Sequence, residues 1–404
     1  MIPRKRIDIG GADLASGLFG CFMPGDAARL AASIEGKWDI QANLACLSVR
    51  SGLDALLGAL ALPRGSEILI SAVNIADMPR ILEAHGLVPV PVDIDRQTLA
   101  VSVATLESAR TPRTRAVLIA HLFGTRMPMQ GISKFCNKNK YLLIEDCAQG
   151  YIGDGWRGEP LADARLFSFG PVKPATALGG AVLGFSDVAL RNRVREHMAR
   201  WPRQSRVAYG SRVLKYLLLA PFGNRHVFGA LAGLCRLLGA THEALVAGAA
   251  RGFAGGDFFG KIRRQPSAPL LRLLHRRMTQ GVQASALRRI ERSRQLQRLL
   301  GARGVGASAS EHRHWIFPIT HGQRNALISH LARHGFDAAV SASSLGVIGA
   351  SAGRAPAIEA TRIFDTLVYI PAHEGMTEQD IERLAIAVET FEQQPAPAAA
   401  LKVP

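Results

Sequence analysis

The chain has 404 residues, 48% of them hydrophobic, enough for one large domain with a smaller one or for two ordinary ones. Five cysteines (Cys21, Cys46, Cys136, Cys147, Cys235) are scattered without a Cys-x-x-Cys pair, which argues for a reducing compartment and against a disulfide framework or a cysteine zinc site. The net charge of +17 is concentrated in residues 191–298, where 22 Lys or Arg face four acids, so that block expects an acidic partner.

The amino terminus, MIPRKRIDIGGADLASG, is basic without the apolar run of a secretory leader, and no stretch reaches the roughly 18 uncharged apolar residues of a membrane-crossing helix. A cytoplasmic chain is expected, with residues 1–25 as an N-terminal arm. "SGLDALLGALAL" (51–62) has helical spacing and follows the apolar run "LACLSV". "SEILIS" (66–71) reads as a strand, "MPRILEAHG" (78–86) as a helix closed by glycine, and "LVPVPVDID" (87–95) as a strand again. "RAVLIAHLFG" (115–124) and "KYLLIEDCAQ" (140–149) are buried strands. Strands that are apolar nearly throughout and alternate with helices predict an α/β fold with a parallel sheet covered on both faces, and functional groups just past the strands' carboxyl ends.

Residues 26–255 are therefore expected to form the large domain, with an arginine-rich, apolar helical insertion at about 190–255. "HWIFPIT", "RNALISHLARHGF" and "TEQDIERLAIAVETF" (377–391) predict a smaller C-terminal α/β domain over 256–392. The end, 393–404, is expected to be disordered. Within the insertion a helix over 225–238 would align Arg225, Gly229, Gly233 and Arg236 on a narrow face and Val227, Phe228, Leu231, Leu234 and Leu238 on a broad apolar one. Two readings stay open: burial in a dimer or under the small domain, or contact of 207–253 with an anionic membrane or an amphiphilic substrate.

Three features converge on one chemistry. Asp146 ends the strand "YLLIED", where a parallel sheet opens its crevice. Lys173 stands alone in the apolar segment "LFSFGPVKPATALGGAVLGF" (166–185), where an unpaired ammonium costs several kcal/mol unless it is deprotonated or covalently used. Ser51 and Gly52 open a helix whose backbone amides favour a phosphate. A phosphate cradle, a strand-end acid and an apolar lysine together describe a pyridoxal 5'-phosphate site.

The segments "SGLDALLGALALPRGSEILIS", "PVPVDIDRQTLAV", "AHLFG", "IEDCAQ", "FSFGPVKPATALGGA" and "YIPAHEGMTEQDIERLAIAV" occur in the order of corresponding family motifs. Over most of 40–185 and 310–392 the chain resembles the DegT/StrS-type nucleotide-sugar aminotransferases, within the fold-type I pyridoxal phosphate enzymes. The resemblance implies an aspartate-aminotransferase-like fold, with a mostly parallel seven-stranded sheet between helices, and a homodimer. It implies Lys173 as the Schiff-base lysine, Asp146 on the pyridinium nitrogen and Gln149 on the phenolic oxygen. Ser168 would join Ser51 and Gly52 at the phosphate, where Leu53 replaces the family's threonine; Asn74 falls where the family places an aromatic ring. Arg277 is the nearest match to a substrate arginine, and His373 and His121 fall on further family motifs, with structural roles equally open to both histidines.

The implied activity moves an amino group from an amino acid, glutamate by family habit, to a keto-sugar that is nucleotide-linked, in cell-surface polysaccharide or secondary-metabolite biosynthesis. One alternative is a peripheral enzyme at the inner face of the membrane acting on a lipid-linked keto substrate. The other is a non-catalytic regulator or nucleic-acid binder using the basic block. That block has no nucleic-acid motif and few aromatics among its arginines.

Overall fold

In a computed structural model, the described residues are all but 39, 41, 239–255, 282, 342–343, 351–352 and 394–404. The apolar runs become β1 (Ala42–Cys46), β2 (Glu67–Ser71), β4 (Val88–Val92), β5 (Thr114–Ala120), β6 (Leu142–Asp146), β7 (Ala164–Ser168) and β8 (Ala181–Phe185), while a short β3 (Val73–Ile75) follows β2. The seven longer strands form one sheet in the order β1-β8-β7-β6-β5-β2-β4. Strands β2, β4, β5, β6 and β7 pair in parallel, and β8 is antiparallel to both its neighbours. Apolar clusters cover the sheet on both sides, as continuous apolar strands require: Leu69, Val117, Ile119 and Leu143 belong to one cluster, Ile68, Ile70, Leu118 and Ile144 to another.

Close packing between helix and sheet explains one glycine. The helix Val49–Leu60 lies so near β8 that a Cβ at Gly52 would come within 2.5 Å of Leu183 Cδ1. Its amino end is capped by Ser48, whose Oγ accepts the Ser51 N–H at 3.2 Å.

A second unit is built on β9 (Phe317–Thr320) and β11 (Leu367–Ile370), paired antiparallel, while β10 (Leu345–Val347) pairs with β3 and ties this region to the large sheet. The helices Ala284–Leu300, Arg324–Arg333 and Glu378–Gln393 contribute Leu296, Leu327, Leu331 and Leu384 to its core. The helices Phe258–Ile262 and Ala268–Thr279, expected in this unit, pack elsewhere. Phe258 and Ile262 enter a core of the large sheet, and the second helix lies against the helices Gly11–Phe19, Ala27–Lys37 and Arg206–Leu219. The N-terminal arm crosses to the small unit, where Ile2 bridges Phe336 and joins its core.

The helix expected over 225–238 spans Arg225–Leu237, but its buried side chains are Phe228, Ala232 and Cys235. Leu234 and Leu238 of the expected apolar face are exposed, and Leu237 is 86% exposed. Arg225, expected on the narrow face, pairs with Asp380 of the last helix. The segment 239–255 and the tail 394–404 lie outside the described residues.

Candidate active site

The carboxyl ends of β5, β6 and β7 converge, and each carries a polar side chain past its last apolar residue. Asp146 ends β6, is 8% exposed, and accepts the Ala148 N–H on Oδ1 at 2.9 Å. Its other oxygen has no protein partner among the described residues. Burial raises its pKa; the Ala148 N–H, Lys173, His121 and Arg50 oppose that rise without cancelling it. A buried carboxylate with an open oxygen is a place for a cation or an N–H donor.

Lys173 sits in the turn after β7, where its own N–H closes on Gly170 O at 3.0 Å. Trp315 fixes the turn, because its Nε1–H donates to Val172 O at 2.7 Å while its ring lies 4.0 Å from the Lys173 ammonium. Gly124, with φ of +104°, lets the segment carrying Trp315 approach the end of β5: a Cβ there would meet Trp315 N at 2.5 Å. Desolvation brings the Lys173 pKa down to about 8; Arg50 adds to the effect and Asp146 resists it. At neutral pH a usable fraction of this amine is therefore free base.

Gln149 uses Oε1 to accept the Phe123 N–H at 2.9 Å, which leaves its amide nitrogen as a donor. Ser168 is half-buried at the end of β7 and accepts the Gly170 N–H at 3.3 Å. Asn74, on β3, is buried, with its Oδ1 on the Ile75 N–H and its Nδ2 without any partner. A buried amide nitrogen without a partner among the described residues is a donor left for a polar ligand.

The helix mouth differs from the expected cradle. The helix begins two residues before Ser51, so the Gly52 N–H is used within it on Ser48 O, and the Ser51 hydroxyl bonds Ser48 Oγ at 2.8 Å. Leu53 is fully buried in the core. The open end of the helix belongs to Ser48, Val49 and Arg50 instead. Arg50 pairs with Asp77 and acts electrostatically on both Asp146 and Lys173.

Two expected substrate residues are committed to holding the arm. Arg277 is 3% exposed and donates to Thr176 O, Asp13 Oδ2, Gln280 Oε1 and Asp8 O at 2.7–3.0 Å. His373 bonds Pro3 O at 2.9 Å through Nε2 and accepts the Gly375 N–H through Nδ1, and burial lowers its pKa to about 4. His121 is also fully engaged: Nδ1 accepts the Met127 N–H, so Nε2–H donates to Glu145 at 2.7 Å. Cys147 lies near this pair, and the three offer ligand atoms within 4.8 Å of one another. Glu145 is, however, already held by His121 and by the Glu159 N–H.

The strands that carry Asp146 and Ser168, and the turn with Lys173, lie in a stretch similar to known proteins. The sequence model of the DegT/DnrJ/EryC1/StrS aminotransferase family matches residues 34–206. That match covers less than half of the chain. The chain is 32% identical over 179 residues to UDP-N-acetyl-3-dehydro-alpha-D-glucosamine 3-aminotransferase from Acidithiobacillus ferrooxidans, covering 43% of this chain and 48% of the relative. It is 34% identical over 160 residues to the erythromycin biosynthesis sensory transduction protein EryC1 of Saccharopolyspora erythraea, covering 38% and 43%. The chain thus spans about half the length of the curated relatives it matches. The fold likeness runs further. The aminotransferase TlmJ from Streptoalloteichus hindustanus superposes with a TM-score of 0.69 at 17% identity, over 95% of this chain and 97% of that one. The sugar aminotransferase CalS13 from Micromonospora echinospora gives 0.67 at 18% identity, over 96% and 100%. The aspartate-aminotransferase-like fold expected from sequence is the fold observed.

Proposed function

We propose that the chain is a pyridoxal phosphate-dependent aminotransferase that moves an amino group from an amino acid, by family expectation glutamate, to a nucleotide-linked keto-sugar. The observation that carries the reading is the pairing of two incompletely satisfied groups, the Lys173 amine and the Asp146 carboxylate, at the ends of adjacent parallel strands. The residues present fit the cofactor. Asp146 offers an open oxygen for a ring N–H, Gln149 an amide N–H for a phenolic oxygen, and Asn74 an Nδ2 with no partner among the described residues. The helix end at Ser48–Arg50, with Ser168, would take the phosphate.

When bound, pyridoxal phosphate supplies an electron sink for the carbon that loses its proton. This chain's part is acid–base and electrostatic. Lys173, with its pKa near 8, can hold a proton at Nζ and release it again near neutral pH. Trp315 limits where that Nζ can travel, through its bond to Val172 O and its face toward the ammonium. Asp146 holds negative charge where the ring nitrogen would lie, and its burial makes that charge effective. A visible absorption band on loading, lost with borohydride, and glutamate-dependent amination of a nucleotide keto-sugar would support the reading. A protein that takes up no cofactor would overturn it.

The partners and location follow as part of the same proposal. The helices Arg206–Leu219 and Arg225–Leu237 expose Val207, Leu218 and Leu237, and a second copy of this chain is the occupant we assign to that face. Peripheral membrane contact through 207–253 is the competing reading; among the described residues no helix is long and apolar enough to cross a membrane. Flotation of the wild type with anionic vesicles, at a protein concentration where it sediments as a monomer, would favour the membrane.

A further inference from the structure

Three consecutive basic residues in the arm have unequal fates. Arg4 bonds Asp337 through both its backbone N–H and its side chain, and Arg6 pairs with Glu374 at 3.2 Å. The Nζ of Lys5, between them, is shielded from water and has no hydrogen-bond partner among the described residues. It lies 4.1 Å from the centroid of Trp315, the same ring that Lys173 approaches to 4.0 Å. Each ammonium is about 4 Å from one point, so the two are no more than about 8 Å apart.

A third cation completes the group. Arg289 is 7% exposed; its Nε–H donates to His314 O at 3.0 Å, while its Nη2 is buried without a partner. The charged groups that act most strongly on Lys5 are Lys173 and Arg289, and both, with burial, push its pKa far down. The acids of the neighbourhood are engaged elsewhere: Asp8 accepts the Ala175 N–H and the Ser285 hydroxyl, and Glu374 takes Arg6. The arm itself is fixed, since the Ile2 N–H bonds Gly335 O and His373 holds Pro3 O. Lys5 is thus a firmly placed donor group that lacks its anion.

We propose that Lys5 and Arg289 form an oxyanion subsite beside Lys173 that binds the carboxylate of the amino-acid donor. This rests on the aminotransferase reading. The donor's amine must react within reach of Lys173, and its carboxylate is attached to the same carbon, so a cationic site sharing the Trp315 ring is at a suitable distance. A donor carboxylate would accept from the Lys5 amine and from the Arg289 Nη2, which has no partner among the described residues, and its charge would favour the protonated form of Lys5. The phosphates of a nucleotide-sugar present the same oxyanion chemistry, and the test separates the two sources.

The cofactor-loaded protein is titrated by calorimetry with glutarate, a dicarboxylate without an amine, and separately with UDP. For Lys5→Met, whose unbranched chain still covers the indole, glutarate affinity should fall by at least about tenfold while the visible cofactor band is retained. Donor KM should rise more than kcat falls, and Lys5→Arg should recover most of the loss. Arg289→Lys, which keeps a donor for His314 O, should weaken glutarate in the same direction. Wild-type glutarate affinity in Lys5→Met with the band intact overturns the proposal, as does a loss confined to UDP, which would give the cations to the acceptor. If the wild type shows no cofactor band, it is the aminotransferase reading that fails. Glutarate binding to that cofactor-free protein, lost in Lys5→Met, would still support the subsite.

Discussion

The helix Ala268–Thr279 and the turn after β7 both bury cations, and they treat them in opposite ways. Arg277 in the helix reaches four acceptors, two of them from the arm's Asp8 and Asp13. The Lys173 amine in the turn has an aromatic face and no hydrogen bond among the described residues, and Asp146, which acts on it by charge, keeps one oxygen open among them. A fully bonded buried charge holds structure, and removing one partner leaves the other desolvated. An incompletely bonded one has kept its reactivity, at some cost in stability. The difference separates arm anchoring from chemistry in a chain where arginine and lysine are otherwise abundant.

Substitutions can break this contrast. Lys173→Ala should give the largest effect, abolishing turnover, with a loss of roughly a thousandfold or more and an unchanged fold by circular dichroism. Turnover near the wild-type rate would remove Lys173 from the chemistry. Asp146→Asn, which keeps the shape and removes the charge, should lower kcat by about a hundredfold with cofactor still bound, measured by steady-state kinetics. Arg277→Leu should do the reverse. Denaturant unfolding should show a loss of about 3 kcal/mol, because Thr176 O and Asp8 O lose their Arg277 donor and Asp13 keeps only Arg276 and Gln280, while the loaded protein keeps its visible band.

The smallest effect sharpens the arm side of the contrast through pH. His373 is buried neutral, its pKa lowered to about 4 by desolvation first and by Arg6 next, with the Pro3 bond opposing. The unfolded chain takes up this proton near pH 6.5 and the folded one only near 4, so its contribution to stability is whole above 6.5 and falls as pH drops toward 4. His373→Gln should flatten that acid limb by about 1–2 kcal/mol in unfolding free energy measured from pH 7 to 4.5. An unaltered limb would show that another group sets it.

Much of this was legible in the sequence. The runs "SEILIS" and "KYLLIEDCAQ" are apolar throughout because their strands are covered on both faces, and Asp146 stands out as the first charge after such a run. Lys173 was legible for the converse reason, a charge in an apolar segment. The helix start was not legible because Ser48 and Ser51 look alike as caps, and only the backbone shows that the helix begins at Val49 and that Gly52 packs on Leu183. Arg277 was misread because a buried arginine's partners are set by tertiary contact. Lys5, Arg50 and Trp315 reach the site from three distant segments, and no spacing within the chain links them. Arg50, standing beside Ser51, was the one with a usable signal.

The most direct measurement is to load the protein with pyridoxal phosphate, reduce it with borohydride and map the modified residue by peptide mass spectrometry. Two buried lysines of lowered pKa flank one tryptophan, so the experiment has a real competitor. The account predicts modification on the peptide carrying Lys173 and none on Lys5. Modification of Lys5, or of neither, would contradict it.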